Sequence, residues 1–384
     1  MTWRAQRLGD VLTLKRGHDL PDSQRQDGDV PVVSSSGITG YHNEPKAKAP
    51  GVVTGRYGTL GEVFYIEEDY WPLNTALYVI DFKGNRPHFV AYFLENVLRN
   101  YQSDKAAVPG VNRNVLHEIK VRCPDTQVQD RIANILSAYD DLIENNRRRM
   151  ALLEDAARQL YREWFVRLRF PGHEHTRIIN GVPDGWRKVP LEEITTKIGS
   201  GFTPRGGESS YLPEGIPLIR SQNVYDDAFQ DEGLAFVSEE DAAALAGVTV
   251  ESKDILLNIT GASVARCCMA PERYLPARVN QHVLIIRVDP QRADPFLVHK
   301  AINSDERKRQ LLSYAQKGST REALTKEMMA GFDVRLPTEA LMRQFGEIAA
   351  VSFREREVLA LQNRKLRTAR DLLLPRLMSG EISV

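Results

Sequence analysis

The first candidates for chemistry in this sequence are acidic residues near a lysine. Asp22 follows Pro21, and Glu44 and Lys46 flank Pro45, which superficially matches the acidic and lysine pattern of metal-dependent nucleases. In such a site the glutamate and the lysine lie on a strand, and Pro45 would remove a backbone donor from that strand. We interpret the stretch as a solvated loop, and an enzyme built around Glu44 and Lys46 stays a minor alternative.

Histidine and cysteine pairs do not complete a site either. His173 and His175 flank a glutamate in a polar connector, but no second group of ligands lies near them in the sequence. Cys267 and Cys268 fall in a predicted strand, where small buried thiols are the ordinary interpretation. The chain also lacks a Gly-x-x-x-x-Gly-Lys phosphate loop. We therefore expect no catalytic residues, no metal and no cofactor.

Polar residues recur in loops at matched places of the two halves of the chain. Hydroxyl, amide and guanidinium groups are the side chains that read base edges and hold phosphates. A single stretch of this kind is typical of an ordinary loop, but its recurrence in both halves predicts a DNA-binding surface. In the first half the residues are Ser34, Ser35, Ser36, Thr54, Arg56, Tyr57, Asn112, Arg113 and Asn114. In the second half they are Arg220, Ser221, Gln222, Asn223, Thr260, Ser263, Asn280, Gln281, Lys317, Ser319, Thr320 and Arg321.

The elements that position these loops belong to a duplicated unit. Trp3 corresponds to Trp186 at an offset of 186 − 3 = 183 residues, and Asn74 corresponds to Asn280 at an offset of 280 − 74 = 206. The offset grows along the chain, as insertions in loops would make it grow. A unit of this length, present twice, indicates a duplicated domain, because solenoid repeats have periods of roughly 20 to 50 residues.

Each half begins with short apolar runs that predict strands, followed by a helix-like segment. The expected strands are 51–54, 62–66 and 76–81 in the first half and 254–259, 264–269 and 283–288 in the second. The expected helices are 88–102 and 295–314. Each globular unit is therefore predicted to mix α and β structure.

A long helix closes each half. No Gly or Pro occurs from Thr126 to about Arg169, and the second helix is expected from about Glu339 to Leu374, with Pro375 ending or kinking it. Apolar residues alternate at spacings of four and three, which predicts that the two helices pair as an antiparallel coiled coil. The predicted seam contains Ile132, Leu136, Tyr139, Ile143, Asn146, Met150, Leu153, Leu160, Trp164, Phe345, Ile348, Leu359, Leu366 and Leu373.

The predicted fold class is α+β, with two similar domains separated by two long paired helices and related by a pseudo-two-fold internal repeat. We predict domains at 1–124 and 186–337, the first helix at 125–169, a linker at 170–185, and the second helix and tail at 338–384.

Composition sets further expectations. The chain has 384 residues and balances 51 basic against 51 acidic residues, so a DNA-binding surface would depend on the local distribution of charge. Three cysteines argue against a disulfide framework, and no apolar run approaches the length of a membrane helix. We expect a cytoplasmic protein without membrane contact.

Several motifs make the chain resemble the specificity subunit of type I restriction-modification systems, over nearly all of its length. The most specific is the closing stretch 370–382, which reads RDLLLPRLMSGEI. The stretches PDGW at 183–186, GFTP at 201–204 and LYREWF at 160–165 are similarly typical. Two positions depart from the family pattern: Asp125 stands where a second proline is usual, and Met342 where a glutamine is usual.

The resemblance implies two target recognition domains that each read one part of a split, asymmetric sequence in double-stranded DNA. It implies that the paired helices set the spacer between the parts. It also implies two methyltransferase subunits, which flip out and methylate an adenine, and restriction subunits that act as translocases. Two other functions stay open: a stand-alone DNA-binding regulator, and a coiled-coil scaffold that binds no nucleic acid.

Overall fold

The computed structural model describes residues 3–56, 61–103, 112–204, 206–317 and 323–384. Contacts divide the chain into two compact units. Unit 1 comprises Met1–Asn145 together with Asn363–Val384, and unit 2 comprises Asn146–Gln362. Each long helix is thus shared between the units, whereas the predicted boundaries treat each helix as a segment of its own. Those boundaries stay a prediction.

Unit 1 is built from short strands, three shorter helices and parts of both long helices. Its strands are β1 (Arg4–Arg7), β2 (Thr13–Arg16), β3 (Val30–Ser34), β4 (Gly37–His42), β5 (Gly51–Gly55), β6 (Val63–Ile66), β7 (Trp71–Pro72), β8 (Ala76–Asp81) and β9 (Lys120–Cys123). Its helices are α1 (Leu8–Val11), α2 (Pro87–Ser103), α3 (Arg113–His117), the first part of α4 (Thr126–Tyr161) and the last part of α10 (Glu339–Ser379).

The strands of unit 1 form a four-stranded sheet in the order β2-β8-β5-β6, a three-stranded sheet in the order β4-β3-β7, and the pair β1-β9. Strand β5 reads Gly-Val-Val-Thr-Gly and is buried along its whole length, as a strand covered on both faces must be. Helix α2 packs on β5 and β6 and contributes Phe89 and Leu94 to the core. This sheet holds the loops at its ends in fixed positions.

Within unit 1 the two long helices run antiparallel. The Asn363 side-chain amide donates to the Ile143 carbonyl over 3.3 Å, and Arg370 pairs with Asp140. Residues later in α10 therefore contact residues earlier in α4. Leu377 is buried in the core that Ile132 also enters.

Unit 2 contains the remaining strands and helices. Its strands are β10 (Ile178–Ile179), β11 (Val182–Pro183), β12 (Arg187–Pro190), β13 (Thr195–Ser200), β14 (Ile216–Ile219), β15 (Val224–Tyr225), β16 (Ala228–Phe229), β17 (Ala235–Val237), β18 (Thr249–Val250), β19 (Ile255–Asn258), β20 (Cys267–Met269), β21 (Ala277–Val279), β22 (Val283–Val288) and β23 (Asp333–Leu336). Its helices, besides the other parts of α4 and α10, are α5 (Leu191–Ile194), α6 (Glu239–Ala244), α7 (Pro295–Asn303), α8 (Asp305–Lys317) and α9 (Lys326–Ala330).

The sheets of unit 2 repeat those of unit 1. The order β13-β22-β19-β20 matches β2-β8-β5-β6, the run β17-β14-β21 matches β4-β3-β7, and the pair β12-β23 matches β1-β9. The pairs β3/β7 and β14/β21 are both parallel, while the other pairings in these sheets are antiparallel. The predicted fold class, with its internal repeat of mixed α and β units and its long helices, is confirmed.

Within unit 2 the long helices are again antiparallel. Arg149 pairs with Glu355 over 2.9 Å. Just beyond the end of α4, the ring of Trp164 lies 6.2 Å from that of Phe345, which comes earlier in α10 than Glu355. After Tyr161 the first helix continues as a π-helical turn over Arg162–Val166. This turn places aromatic residues of the first helix in the core of the unit.

The seam differs from the prediction at one position. Ile348 is 44% exposed, whereas Ala349 and Phe353 are buried, so the prediction for Ile348 is wrong and the seam passes one residue later. The other predicted seam residues divide into two groups. Ile132, Leu136, Ile143, Asn146, Trp164, Phe345 and Leu359 are buried. Tyr139, Met150, Leu153, Leu160, Leu366 and Leu373 are half-buried.

Pro375 does not end the second helix. Helix α10 continues through it to Ser379, so the expectation that Pro375 ends the helix is wrong, and a kink at Pro375 stays a prediction. A proline inside a helix removes one backbone hydrogen bond and costs about 3 kcal/mol. Burial of Leu374, Leu377 and Met378 in the core of unit 1 stabilises the last turns against this cost.

A cluster of buried charges joins the elements of unit 2. The Lys300 cluster, as we name it, consists of Glu154 on α4, Asp227 in the β15–β16 turn, His299 and Lys300 on α7, and Arg356 on α10, and all but the half-buried Arg356 are buried. The Lys300 ammonium contacts Glu154 and lies 2.9 Å from Asp227. Arg356 also pairs with Glu154 and donates to the Asp227 carbonyl. The cluster fixes the turn that follows residues 220–223.

Acid is expected to destabilise unit 2 through His299. Burial, helped by the charge of Lys300, lowers the pKa of His299 from 6.5 to about 3. Between pH 6.5 and 3 the unfolded chain therefore binds more protons than the folded one. The stability that the neutral His299 ring contributes is fully present above pH 6.5 and is lost as the pH falls towards 3. The contribution changes by up to about 1.4 kcal/mol per pH unit. Urea unfolding between pH 7 and 4.5 should show that the free energy of unfolding depends less steeply on pH in His299→Gln than in the native chain. Equal slopes would contradict the assignment of this pH dependence to His299.

Candidate nucleic-acid interface

Four segments of unit 1 meet at one end of its sheets. The Leu73 amide donates to the Val33 carbonyl over 2.8 Å, which joins the β7–β8 loop to the end of β3. The Arg56 amide donates to Thr75 over 3.2 Å, and the His18 amide donates to Pro72 over 2.7 Å. We call residues 16–19, 34–37, 56 and 73–75 the first loop cluster.

Two arginines of the first loop cluster share one acceptor. Arg16 Nε and Arg56 Nη1 each lie 3.3 Å from the Asn74 carbonyl oxygen. The Asn74 side-chain amide donates to Asp19, which fixes the loop that carries this carbonyl. Two guanidinium groups held at one place favour an anion such as a DNA phosphate.

The serines occupy the β3–β4 hairpin turn. Ser34 is buried, and its hydroxyl donates to the Gly37 carbonyl over 3.2 Å and accepts from the Ser36 amide over 3.1 Å. Gly37 has φ +94°, and an added Cβ would lie 3.2 Å from the ring of Phe64. Ser34 therefore builds the turn, while Ser36 is exposed and Ser35 is half-buried at its tip.

Other predicted residues of unit 1 have structural roles or lie elsewhere. Thr54 is fully buried, and its hydroxyl donates to the Glu62 carbonyl over 2.8 Å, so its prediction as a DNA contact is wrong. Asn112 caps helix α3 by accepting from the Asn114 amide over 2.9 Å. Arg113 and Asn114 are exposed on that helix. Tyr57 lies outside the described residues.

The corresponding end of unit 2 gathers most of the residues predicted there. The Asn258 amide donates to the Ser221 carbonyl over 2.8 Å, and the Asn280 backbone amide donates to Ile219 over 3.2 Å. The Thr260 hydroxyl lies 2.6 Å from His282 Nδ1. We call residues 203, 220–223, 258–263 and 280–282 the second loop cluster.

The Arg220–Asn223 turn combines buried and exposed groups. Arg220 is held by the Gly233 carbonyl at 2.7 Å and by Glu208 at 3.3 Å, and its side chain is only 16% exposed. Asn223 is fully buried and donates to the Gln230 carbonyl over 3.0 Å, so its prediction as a DNA contact is wrong. Gln222 is exposed and donates to the Gly233 carbonyl over 2.9 Å. Gln222, together with the half-buried Ser221, presents the polar surface of this turn.

The remaining predicted residues of unit 2 divide in the same way. Asn280 is buried and accepts from the His282 amide over 3.0 Å, which makes it part of the loop scaffold and contradicts its predicted DNA contact. Gln281 is exposed, and Thr260 and Ser263 are half-buried. The Lys317 side chain and residues Ser319, Thr320 and Arg321 lie outside the described part of the chain.

Sequence reasoning missed Arg16, Asp19 and Asn74 in unit 1 and Thr203 and His282 in unit 2. Asn74 repeats as Asn280 at the 206-residue offset, and each lies in the loop before an inner strand of the four-stranded sheet of its unit, β8 or β22. This repeat is the sequence signal that could have identified the neighbouring residues as part of the site. The described residues contain no group of three or more His, Cys, Asp or Glu side chains placed to hold a metal ion. Among them, no helix has both the length and the apolar character needed to cross a bilayer.

The chain is similar to known proteins in sequence and in fold. Residues 1–155 match the family described as the type I restriction modification DNA specificity domain. The chain is 24% identical over 292 residues to the MjaIX specificity subunit of a type I restriction enzyme from Methanocaldococcus jannaschii, covering 73% of this chain and 65% of that protein. It is 20% identical over 396 residues to the HindI specificity subunit from Haemophilus influenzae, covering 84% of each.

A solved structure shares the fold. The crystal structure of a type I restriction-modification S subunit from M. genitalium aligns with 98% of this chain and 96% of its own, with a TM-score of 0.61 and 15% identity. The predicted resemblance is thereby confirmed: the chain is similar in sequence and fold to specificity subunits of type I restriction-modification systems, and residues 1–155 match the DNA specificity domain of such systems.

Proposed function

We propose that this chain is the non-catalytic subunit that selects the DNA target of a type I restriction-modification complex, with unit 1 reading one half of a bipartite, asymmetric sequence and unit 2 the other. One observation carries the proposal. Equivalent four-stranded sheets in the two units each gather polar loops at the same end, and the exposed side chains of those loops differ.

The charge and chemistry of the loops support DNA as the ligand. Arg16 and Arg56 supply a paired positive charge in unit 1, while Gln222 and Gln281 supply exposed amides in unit 2. Guanidinium groups position phosphates, and amides discriminate between base edges. Thr54, Asn223 and Asn280 are also polar, but they are buried, so they hold the loops in place and do not face the ligand.

The proposal includes partners for the chemical steps. Two methyltransferase subunits would bind this chain and methylate adenine, and restriction subunits would join them. The relatives named above are subunits of type I restriction enzymes. A chain that only selects the target needs no catalytic group of its own, and the loops described above are built for binding.

The test assigns each loop cluster to one half of the target. A target is first selected from randomised double-stranded DNA with the complex of this chain and its methyltransferase subunits. Ser221→Ala with Gln222→Ala is expected to weaken base discrimination in one half by about tenfold, because a lost base contact costs about 1–3 kcal/mol. Ser35→Ala with Ser36→Ala should affect only the other half. Competition binding with targets altered in one half measures both effects.

Gln159→Ala, an exposed change on α4, provides the matched control and should leave both halves unaffected. Equal loss in both halves from either double variant would contradict the proposal. A complex that selects no two-part sequence would favour the scaffold function instead.

A further inference from the structure

We propose that Gln281 reads an adenine in the half-site that unit 2 binds. The inference rests on the proposed function, since it assigns base chemistry to a loop of that surface. Gln281 lies between β21 and β22, and its side chain is exposed at the end of the sheet. It neighbours Asn280, whose burial fixes the loop.

Two neighbours hold the Gln281 amide. The Thr203 hydroxyl donates to Gln281 Oε1, and Gln281 Nε2 lies 3.2 Å from Nε2 of His282. An amide nitrogen only donates, so His282 Nε2 must accept. A long side chain whose terminal amide is already held by two neighbours loses less conformational freedom on binding than a free one.

The histidine contact extends the chain of hydrogen bonds. Because His282 Nε2 accepts, the proton of the neutral ring lies on Nδ1, which is 2.6 Å from the Thr260 hydroxyl and donates to it. The order Thr203, Gln281, His282, Thr260 is therefore consistent in donors and acceptors throughout. This order fixes the orientation of the Gln281 amide, with its oxygen towards Thr203 and its nitrogen towards His282.

The remaining hydrogen-bonding capacity of Gln281 matches adenine. An amide oxygen accepts twice and an amide nitrogen donates twice, so one acceptor position and one donor remain after the internal bonds. In the major groove adenine presents the N7 acceptor beside the N6 donor, which a glutamine amide pairs in a bidentate manner. Guanine presents two acceptors there, so one half of the amide would be mismatched.

The surroundings fit an A·T pair and differ between the units. Phe202, which precedes Thr203, is 48% exposed, and an apolar ring can contact the thymine methyl group in the same groove. At the 206-residue offset the counterpart of Gln281 in unit 1 is Thr75, which has a single hydroxyl. The amide recognition is therefore specific to one half of the target.

The experiment uses the full complex with its methyltransferase subunits and selection from randomised double-stranded DNA. Gln281→Ala is expected to lower the preference for adenine at one position of one half by roughly 10- to 100-fold, and to leave the other positions unchanged. Gln281→Glu replaces the donor by a second acceptor and should move the preference at that position towards cytosine, whose N4 donates. The unchanged preference in the other half reports that each variant is folded.

Gln291→Ala is the matched control, since Gln291 is also exposed but follows the opposite end of β22. It should reproduce the native target. An unchanged preference in Gln281→Ala, or a loss at a position that is not adenine, would overturn the inference. Failure of the proposed function is distinguishable, because the native complex would then select no two-part sequence at all.

Discussion

Replacing Lys300 with methionine is expected to lower the free energy of unfolding of unit 2 by about 3 to 5 kcal/mol. The ammonium is buried and contacts both Glu154 and Asp227. Its removal leaves two carboxylates in a poorly solvated region with too little positive charge beside them. The pKa of Asp227 is held below its usual range even though burial opposes ionisation, because His299 and Lys300 outweigh that opposition. Urea unfolding at pH 7 measures the loss.

Lys188→Met is the matched control. Lys188 forms an exposed pair with Asp333 at 2.6 Å, and pairs of this kind contribute about 0 to 1 kcal/mol. The double variant Lys300→Met with Glu154→Met should recover part of the stability, because it removes a charge of each sign. Similar small effects of Lys300→Met and Lys188→Met would show that the Lys300 cluster does not stabilise the unit.

Lengthening both long helices by one heptad is expected to abolish preference for the native spacer between the two halves of the target. A copy of residues 139–145 would follow Asn145, and a copy of 363–369 would follow Gln362. The copies reproduce the pairing of Ile143 with Asn363 and leave the contacts described within each unit in place. Seven helical residues add about 10 Å, the rise of about three base pairs. Selection from targets of varied spacer should show a longer optimum.

A seven-residue insertion at Gly181 controls for length alone. Gly181 lies in the β10–β11 turn with open space around it. This variant should keep the native spacer. An unchanged optimum in the helix variant would contradict the proposed role of the helices as the determinant of spacing.

The apolar pattern predicted the elements best for the buried inner strands of the sheets. Strands 76–81 and 283–288 form at the predicted residues, because a buried run of Val, Ile and Leu between polar ends has few alternative arrangements. The segment 295–314 was predicted as one helix but forms two, α7 and α8, separated at Ser304. Ser304 is extended there and its hydroxyl donates to Ala301, a local bond that periodicity does not register.

The polar loop residues were harder to interpret. Asn223 and Gln222 are adjacent and chemically alike, yet one amide is buried in backbone hydrogen bonds and the other is exposed. Burial of a loop side chain depends on how the neighbouring segments fold, here the loop around Gln230, whose carbonyl accepts from the Asn223 amide. The same limit applies to the seam, where Ile348 is more apolar than Ala349 and yet is the more exposed of the two.

Unit 1 combines the beginning of the chain with residues 363–384, whereas unit 2 is one continuous segment. During synthesis unit 2 can therefore complete its core while unit 1 still lacks a helix. Trp3 lies against Gly380, where an added Cβ would approach the indole nitrogen to 2.7 Å, so a short linker can connect these two parts of unit 1. A circular permutant that joins them through a short linker and opens at Gly181 should keep both cores, and in that order of translation unit 1 would be the first to finish.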